Sequence, residues 1–381
     1  AHGVLYYFFS NKEKENSYLF NGLEISKDKE ACKHQNQYPV LFLTLKDMKR
    51  NHFEAQIDKF KSIISMLVDQ YAELLDSPKL RESERKLLSQ YLNEAAPVNK
   101  LMDALFNLSV FLEKHYEQKT IAELMGNLAE KIDIEFIVAA GDTHHFEGVA
   151  SVDDPLWMTN YELVYSHPEL MLEWFAVNGN HEYRGNTQAV LDYGKKSRRW
   201  IVPSRYYSKV VEAGENEKAL LVFIDTSPLI DKYREDTEKY PDAGRQDMEE
   251  QLQWIEKTLA SSAEKWKIVI GHHPVYADTP KEESERADMR KRLEPLLDRY
   301  GVDMYFCGHI HNFQHIQPAD SKVDYLVNTS GSLSRKVKTV EGTKFCNPEA
   351  GFTVVSMEDS KLSFYLMNGK GKILYEYSRT R

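Results

Sequence analysis

The chain has 381 residues, 42% hydrophobic and 28% charged, with a formal net charge of −10. That is the make-up of a globular protein with room for two domains or one large one. The negative balance argues against a nucleic-acid backbone or an anionic membrane as the main partner; a small phosphorylated substrate stays open, because bound metal cations can outweigh the overall field.

The three cysteines, Cys32, Cys307 and Cys346, are too few and too scattered for a disulfide framework or a thiolate metal site. No run reaches the roughly eighteen apolar residues of a membrane span. The opening, Ala1 to Phe9, lacks the basic head and cleavage site of a secretion signal. A trimmed N-terminus would read the same, so the compartment stays open, as does any protein partner.

In chain order, Val4–Phe9 and Pro39–Leu45 read as strands. Phe53, Ile57, Phe60, Ile63, Ile64, Leu67, Tyr71 and Leu74 then recur at helical spacing. Ser77-Pro78 reads as a cap with proline in the first turn of the next helix, whose apolar face is Leu87, Leu88, Tyr91 and Leu92. Leu101 to Tyr116 predicts a third helix. Residues 1–117 thus form a mostly helical N-terminal segment with no cluster of metal-type ligands.

From residue 118 the character changes. Thr120 to Lys131 predicts an amphipathic helix. Apolar strands follow at Ile134–Ala140, Trp174–Val177, Ala219–Ile224, Trp266–Ile270 and Val302–Phe306, with helices at Asp247–Leu259 and Arg286–Tyr300. Near-continuous apolar strands alternating with helices predict a buried, largely parallel α/β sheet. Gly351–Met357, Leu362–Leu366 and Ile373–Tyr377 predict a closing antiparallel meander.

Four polar clusters stand at the C-terminal ends of apolar strands: Gly141-Asp142-Thr143-His144-His145, Gly179-Asn180-His181-Glu182, Gly271-His272-His273-Pro274 and Gly308-His309-Ile310-His311-Asn312. Such strand ends converge on one crevice, and the leading glycine permits a tight turn and a close backbone approach. Imidazole, carboxylate and amide oxygen together suit Zn, Fe or Mn.

The order and spacing of these clusters resemble the calcineurin-like metallophosphoesterases, in particular their small purple-acid-phosphatase-like branch, over about residues 118 to 381. The resemblance implies an α/β four-layer sandwich, two mixed sheets flanked by helices, with two transition metals at the strand ends. It implies that Asp142 bridges the metals, that Asn180, His272 and His309 complete one site, and that His311 belongs to the other. His145 falls where the purple enzymes place a tyrosine ligand, so the tyrosinate-to-iron colour is expected to be absent. His181 would contact the phosphate or protonate the leaving oxygen, with His273, Tyr183 and His315 as weaker pocket-lining candidates. The chemistry implied is hydrolysis of phosphate monoesters by a metal-activated hydroxide, the two cations lying roughly 3.5–4 Å apart.

One element of the pattern is missing. The first metal-binding aspartate belongs just ahead of the first helix, where this chain has Lys114-His115-Tyr116-Glu117-Gln118-Lys119. Asp47, at the end of Pro39–Leu45, is a weak substitute, and Asn11 a poorer one. Asp225 also ends a strand and reads as structural. Without a replacement the chain would bind one metal, or phosphate, and act as a degenerate phosphatase fold or an interaction protein.

Leu19 to Ile25, Tyr38 to Asp47 and the helices up to Tyr116 resemble an internal piece of the bacterial AAA-ATPase-like family. Its phosphate-binding loop would lie upstream of residue 1, and no Gly-x-x-x-x-Gly-Lys-Ser/Thr occurs in the chain. ATP binding is not expected; a chimera joined near residue 118 is.

Overall fold

The computed structural model describes residues 2–32, 34–43, 52–77, 79–116, 121–331 and 334–381, and the chain divides into two compact units, Ala1–Lys119 and Thr120–Arg381. Among the described residues no helix is long and apolar enough to cross a membrane.

The N-terminal unit is helical. Helices Phe53–Gln70, Glu82–Leu92 and Ala104–Tyr116 bury Ile64, Val68, Leu88, Ala104 and Leu108 in one cluster. His2–Phe9 is a helix, not the strand predicted for Val4–Phe9. A short, wholly apolar run carries no periodicity to separate the two. The helix buries Phe8 against Phe20, with ring centroids 5.0 Å apart. Leu41 to Leu43 form no strand either: the segment makes a single bridge, between Ser10 and Tyr38. Thr44 and Leu45 of that expected strand, and Asp47 after it, lie outside the described residues, as does Pro78.

The C-terminal unit is built on strands β1 (Phe136–Ala139), β2 (Glu173–Ala176), β3 (Trp200–Ile201), β4 (Tyr207–Glu212), β5 (Lys218–Phe223), β6 (Trp266–Ile270), β7 (Met304–Cys307), β8 (Phe313–Ile316), β9 (Asp324–Val327), β10 (Thr343–Asn347), β11 (Gly351–Met357), β12 (Lys361–Asn368) and β13 (Ile373–Thr380). β1-β2-β3 form a parallel sheet, β11-β12-β13 an antiparallel one, and the large sheet runs β10-β8-β9-β7-β6-β5-β4. Its centre, β5-β6-β7-β9, is parallel, and its edges are antiparallel.

Alternation along β5 explains the layering. Ala219, Leu221 and Phe223 face a cluster shared with Trp174 and Phe175 of β2 and Leu362, Phe364 and Leu366 of β12. Leu220, Val222 and Ile224 face the opposite way, under Ile255 and Leu259 of helix Met248–Ser261 and Met289 of helix Glu283–Arg292. Both faces of the central strand are therefore buried, which is why it reads as one unbroken apolar run. Met125 and Ala129 of helix Ile121–Ala129 pack on the first cluster. The result is the mixed α/β sandwich of helices, large sheet, smaller sheets and helix.

Two elements of this unit depart from expectation for local reasons. The helix expected over Arg286–Tyr300 is two helices, Glu283–Arg292 and Glu294–Arg299, because Pro295 cannot continue the first and instead opens the second. β8 has no apolar-run signature because Gln314 and His315 interrupt it. His315 is fully buried there against Asp324, with its Nε2 2.9 Å from Oδ1.

Candidate metal centre

Each polar cluster follows a strand whose direction aims it at one place. Asp142 follows β1 and Asn180-His181 follows β2 in the small parallel sheet; His272 follows β6, and His309 and His311 follow β7 in the large one. The crevice therefore sits where the C-terminal ends of strands from two sheets meet. Asp142 (φ 55°), His309 (φ 67°) and His311 (φ 63°) all occupy the left-handed region, a strained backbone held by its surroundings.

Two glycines make the approach possible. A Cβ on Gly179 would stand 2.2 Å from Oδ1 of Asp142, and one on Gly141, itself at φ 85°, 2.5 Å from Nδ1 of His272. The loops are locked by Glu182, a buried carboxylate: Oε2 accepts the N–H of Asp142 (2.9 Å) and of Gly179 (2.7 Å), and Oε1 that of His144 (3.0 Å). Burial and then the charge of Asp142 push its pKa up to about 7.

Around Asp142 the side chains fall into two groups. On one side Oδ2 lies 3.1 Å from Nε2 of His272, which is itself 3.1 Å from Nδ1 of His309. Nδ1 of His272 donates to the carbonyl of Ala140 at 2.7 Å, which leaves Nε2 as the free nitrogen facing Asp142. On the other side His145 stacks on His181 with centroids 3.9 Å apart and lies 5.6 Å from the ring of His311. Burial raises the cost of the Asp142 charge, but His272, His181 and His309 overcome it and hold the carboxyl well below the usual carboxylate range.

The donor set fits metal ions. Oδ1 of Asn180 and Nδ1 of His311 are buried with no hydrogen-bond partner. Buried polar atoms are normally satisfied, so orphans that share one crevice with a carboxylate and imidazoles mark a ligand position. Among the described residues, His272, His273 and His309 bring ligand atoms within 4.8 Å of one another, as do Asp142, His145 and His181.

His273 is placed as a neighbour of this set. Its Nδ1 is 2.7 Å from the hydroxyl of Thr226, which already accepts the N–H groups of His272 and His273, and its ring is 4.4 Å from that of His309. With both lone pairs of that hydroxyl engaged, its proton points at Nδ1 and Nε2 carries the ring proton. Tyr183 is brought near but turned away: its hydroxyl donates to Asp225 at 2.5 Å beside Arg205. His315 is not brought in, since Asp324 and Tyr375 take both its nitrogens. Asn11 lies in the N-terminal unit, and Asp47 lies outside the described residues.

Three site residues carry no sequence signal of their own. Glu285 is buried with Oε2 3.0 Å from Nε2 of His309. Lys281 places its ammonium 2.8 and 3.1 Å from the two ring nitrogens of His309, and burial lowers its pKa to about 8. Both sit in the charge-rich stretch Lys281-Glu282-Glu283-Ser284-Glu285-Arg286, which reads as a solvated face. Glu182 closes the run Gly179-Asn180-His181-Glu182, yet nothing in that run tells a loop-locking carboxylate from a helix cap.

Comparison with known proteins identifies relatives of the chain. Residues 115–313 match the sequence model of the calcineurin-like phosphoesterases, and residues 2–124 that of the predicted AAA-ATPases. Purple acid phosphatase 4 of Arabidopsis thaliana is 32% identical over 70% of this chain and 80% of its own length. Tartrate-resistant acid phosphatase type 5 of Mus musculus is 30% identical over 68% and 83%. Among solved structures, GAP50, the anchor in the inner membrane complex of Plasmodium, shares the fold with a TM-score of 0.59 at 23% identity, covering 68% of this chain and 82% of that one. The chain belongs to the calcineurin-like phosphoesterase family, with purple acid phosphatases among its relatives.

Proposed function

We propose that the chain hydrolyses small phosphate monoesters at a dinuclear centre held by Asp142, Asn180, His272 and His309 on one side and by Asp142, His145 and His311 on the other. The observation that carries this reading is Asp142, buried between two sets of imidazoles with an orphaned amide oxygen beside it. Bound metals of the Zn, Fe or Mn class would supply Lewis-acid charge stabilisation and an activated water for attack on phosphorus.

The chain's own residues do the remainder. His181 is fixed by Phe146, whose N–H and carbonyl lie 3.1 and 2.8 Å from its Nδ1, so that Nε2 faces the crevice 3.9 Å from Asp142. Burial lowers its pKa to about 4, while Asp142 pulls the other way. A phosphate dianion next to Nε2 adds a second negative charge and raises that pKa further. His181 then holds a proton where the ester oxygen departs, and delivers it as the P–O bond breaks. Arg184, which donates to the same Phe146 carbonyl at 3.0 Å, and Lys281 add positive charge at the rim.

A second reading has its own observation. Among the described residues no carboxylate besides Asp142 joins His145 and His311, so that side is short of negative charge. Such a site holds its metal weakly, and the protein is then a one-metal or inactive phosphatase fold. Metal analysis of reconstituted protein separates the two: two ions per chain support the enzyme, and one supports the degenerate form. With ferric iron, His145 in place of a tyrosine predicts no tyrosinate charge-transfer band.

A further inference from the structure

His309 has to present one particular nitrogen to the crevice. Its Nδ1 faces Nε2 of His272 at 3.1 Å, and Asp142 stands 3.1 Å beyond. An imidazole offers that lone pair only when the proton is on the other nitrogen, and it keeps that tautomer only when something accepts the proton's hydrogen bond.

We infer that Glu285 is the positioning residue of this centre: its carboxylate accepts the Nε2–H of His309 and so fixes Nδ1 as a metal-binding lone pair. The assignment rests on the metal-centre reading above. Oε2 of Glu285 is 3.0 Å from Nε2, with the two side chains 3% and 1% exposed. Oε1 is held independently by Nζ of Lys232 at 2.8 Å and the hydroxyl of Tyr233 at 3.1 Å. The carboxylate is thus anchored on one oxygen and directional on the other.

Lys281 does not compete for this role. Its nitrogen is 2.8 Å from Nε2 and 3.1 Å from Nδ1. The in-plane lone pairs of an imidazole diverge, so one atom that close to both nitrogens lies along neither of them. His272 is held by the neutral Ala140 carbonyl and His309 by a charge, which makes His309 the more basic ligand of the two. The alternative is a plain ion pair between Glu285 and Lys232 that does nothing for His309.

The test is a zinc competition titration against a chromophoric chelator on the full chain, for the parent, Glu285→Gln, Glu285→Ala and Lys232→Met, with folding checked by near-UV circular dichroism. Positioning predicts that Glu285→Gln weakens the tighter zinc by about 10- to 100-fold, with Glu285→Ala at least as severe and Lys232→Met, which leaves the Tyr233 hydroxyl on Oε1, clearly milder. A folded Glu285→Gln variant with parent affinity, or equal losses in Glu285→Gln and Lys232→Met, overturns the assignment while the metal centre stands. A parent protein that binds no zinc overturns both.

Discussion

Glu182 accepts the backbone N–H of Asp142 at 2.9 Å, and the same oxygen takes that of Gly179 at 2.7 Å. One buried carboxylate therefore ties together the two glycine-led loops that carry Asp142, Asn180 and His181. Replacing it strands three buried N–H groups, those of Asp142, Gly179 and His144. Glu182→Ala is expected to lower stability by about 2–4 kcal/mol. Urea unfolding followed by tryptophan fluorescence measures it, and an unchanged midpoint would remove Glu182 from this role.

Gly179 tests the close approach itself. Its substitution by alanine puts a methyl 2.2 Å from Oδ1 and 2.5 Å from the backbone nitrogen of Asp142. Because backbone cannot yield as a flexible side chain does, Asp142 must move. Gly179→Ala is expected to lose about tenfold or more in metal affinity while remaining folded. Parent-like affinity in the zinc titration would show that the loop absorbs the methyl without disturbing Asp142.

Buried Asp225 gives a pH signature away from the metal ligands. Burial lifts its carboxyl to about 6, against the opposing effects of the Tyr183 hydrogen bond and Arg205. A raised carboxyl binds its proton more tightly folded than unfolded, so its contribution to stability is full below the unfolded pKa near 4 and is lost as pH climbs through 6. Relative to Asp225→Asn, the parent should lose up to about 3 kcal/mol between pH 4 and 7. Denaturation curves that stay parallel across this range would contradict the assignment.

His315 separates packing from chemistry. Its ring pairs with Asp324 at 2.9 Å, and Arg379 of β13 reaches the same carboxylate at 3.1 Å. Removing the ring leaves one buried oxygen of Asp324 short of its hydrogen bond, a loss of about 1–3 kcal/mol, and opens a cavity beside it. His315→Ala should therefore lower the unfolding temperature sharply yet leave kcat/KM of the folded fraction unchanged. A selective loss of kcat/KM with stability intact would return His315 to the pocket.

Legibility followed the physics of each element. β5, β6 and β7 were readable because both of their faces are buried, as Leu220 and Leu221 on opposite clusters illustrate. The metal-type residues were readable because short glycine-led turns keep them adjacent in sequence. Glu285 and Lys281 were not, since nothing in a charged helix-start distinguishes the one carboxylate that turns inward from its solvated neighbours. β8 is hidden by the polar residues His315 and Gln314, whose partners Asp324 and Asp278 come from other segments of the chain. The helix His2–Phe9 reads as a strand because Tyr and Phe favour strands until a tertiary partner such as Phe20 decides otherwise.

The central claim is that Asp142 organises a catalytic metal centre, and phosphate release from p-nitrophenyl phosphate tests it most directly. The full chain, reconstituted with Zn, Mn or Fe, is assayed beside Asp142→Asn, which keeps the shape and removes the charge. The account predicts turnover by the parent that disappears in Asp142→Asn. Release by the parent no greater than by Asp142→Asn, with every metal, would contradict it and leave a phosphatase fold without phosphatase chemistry.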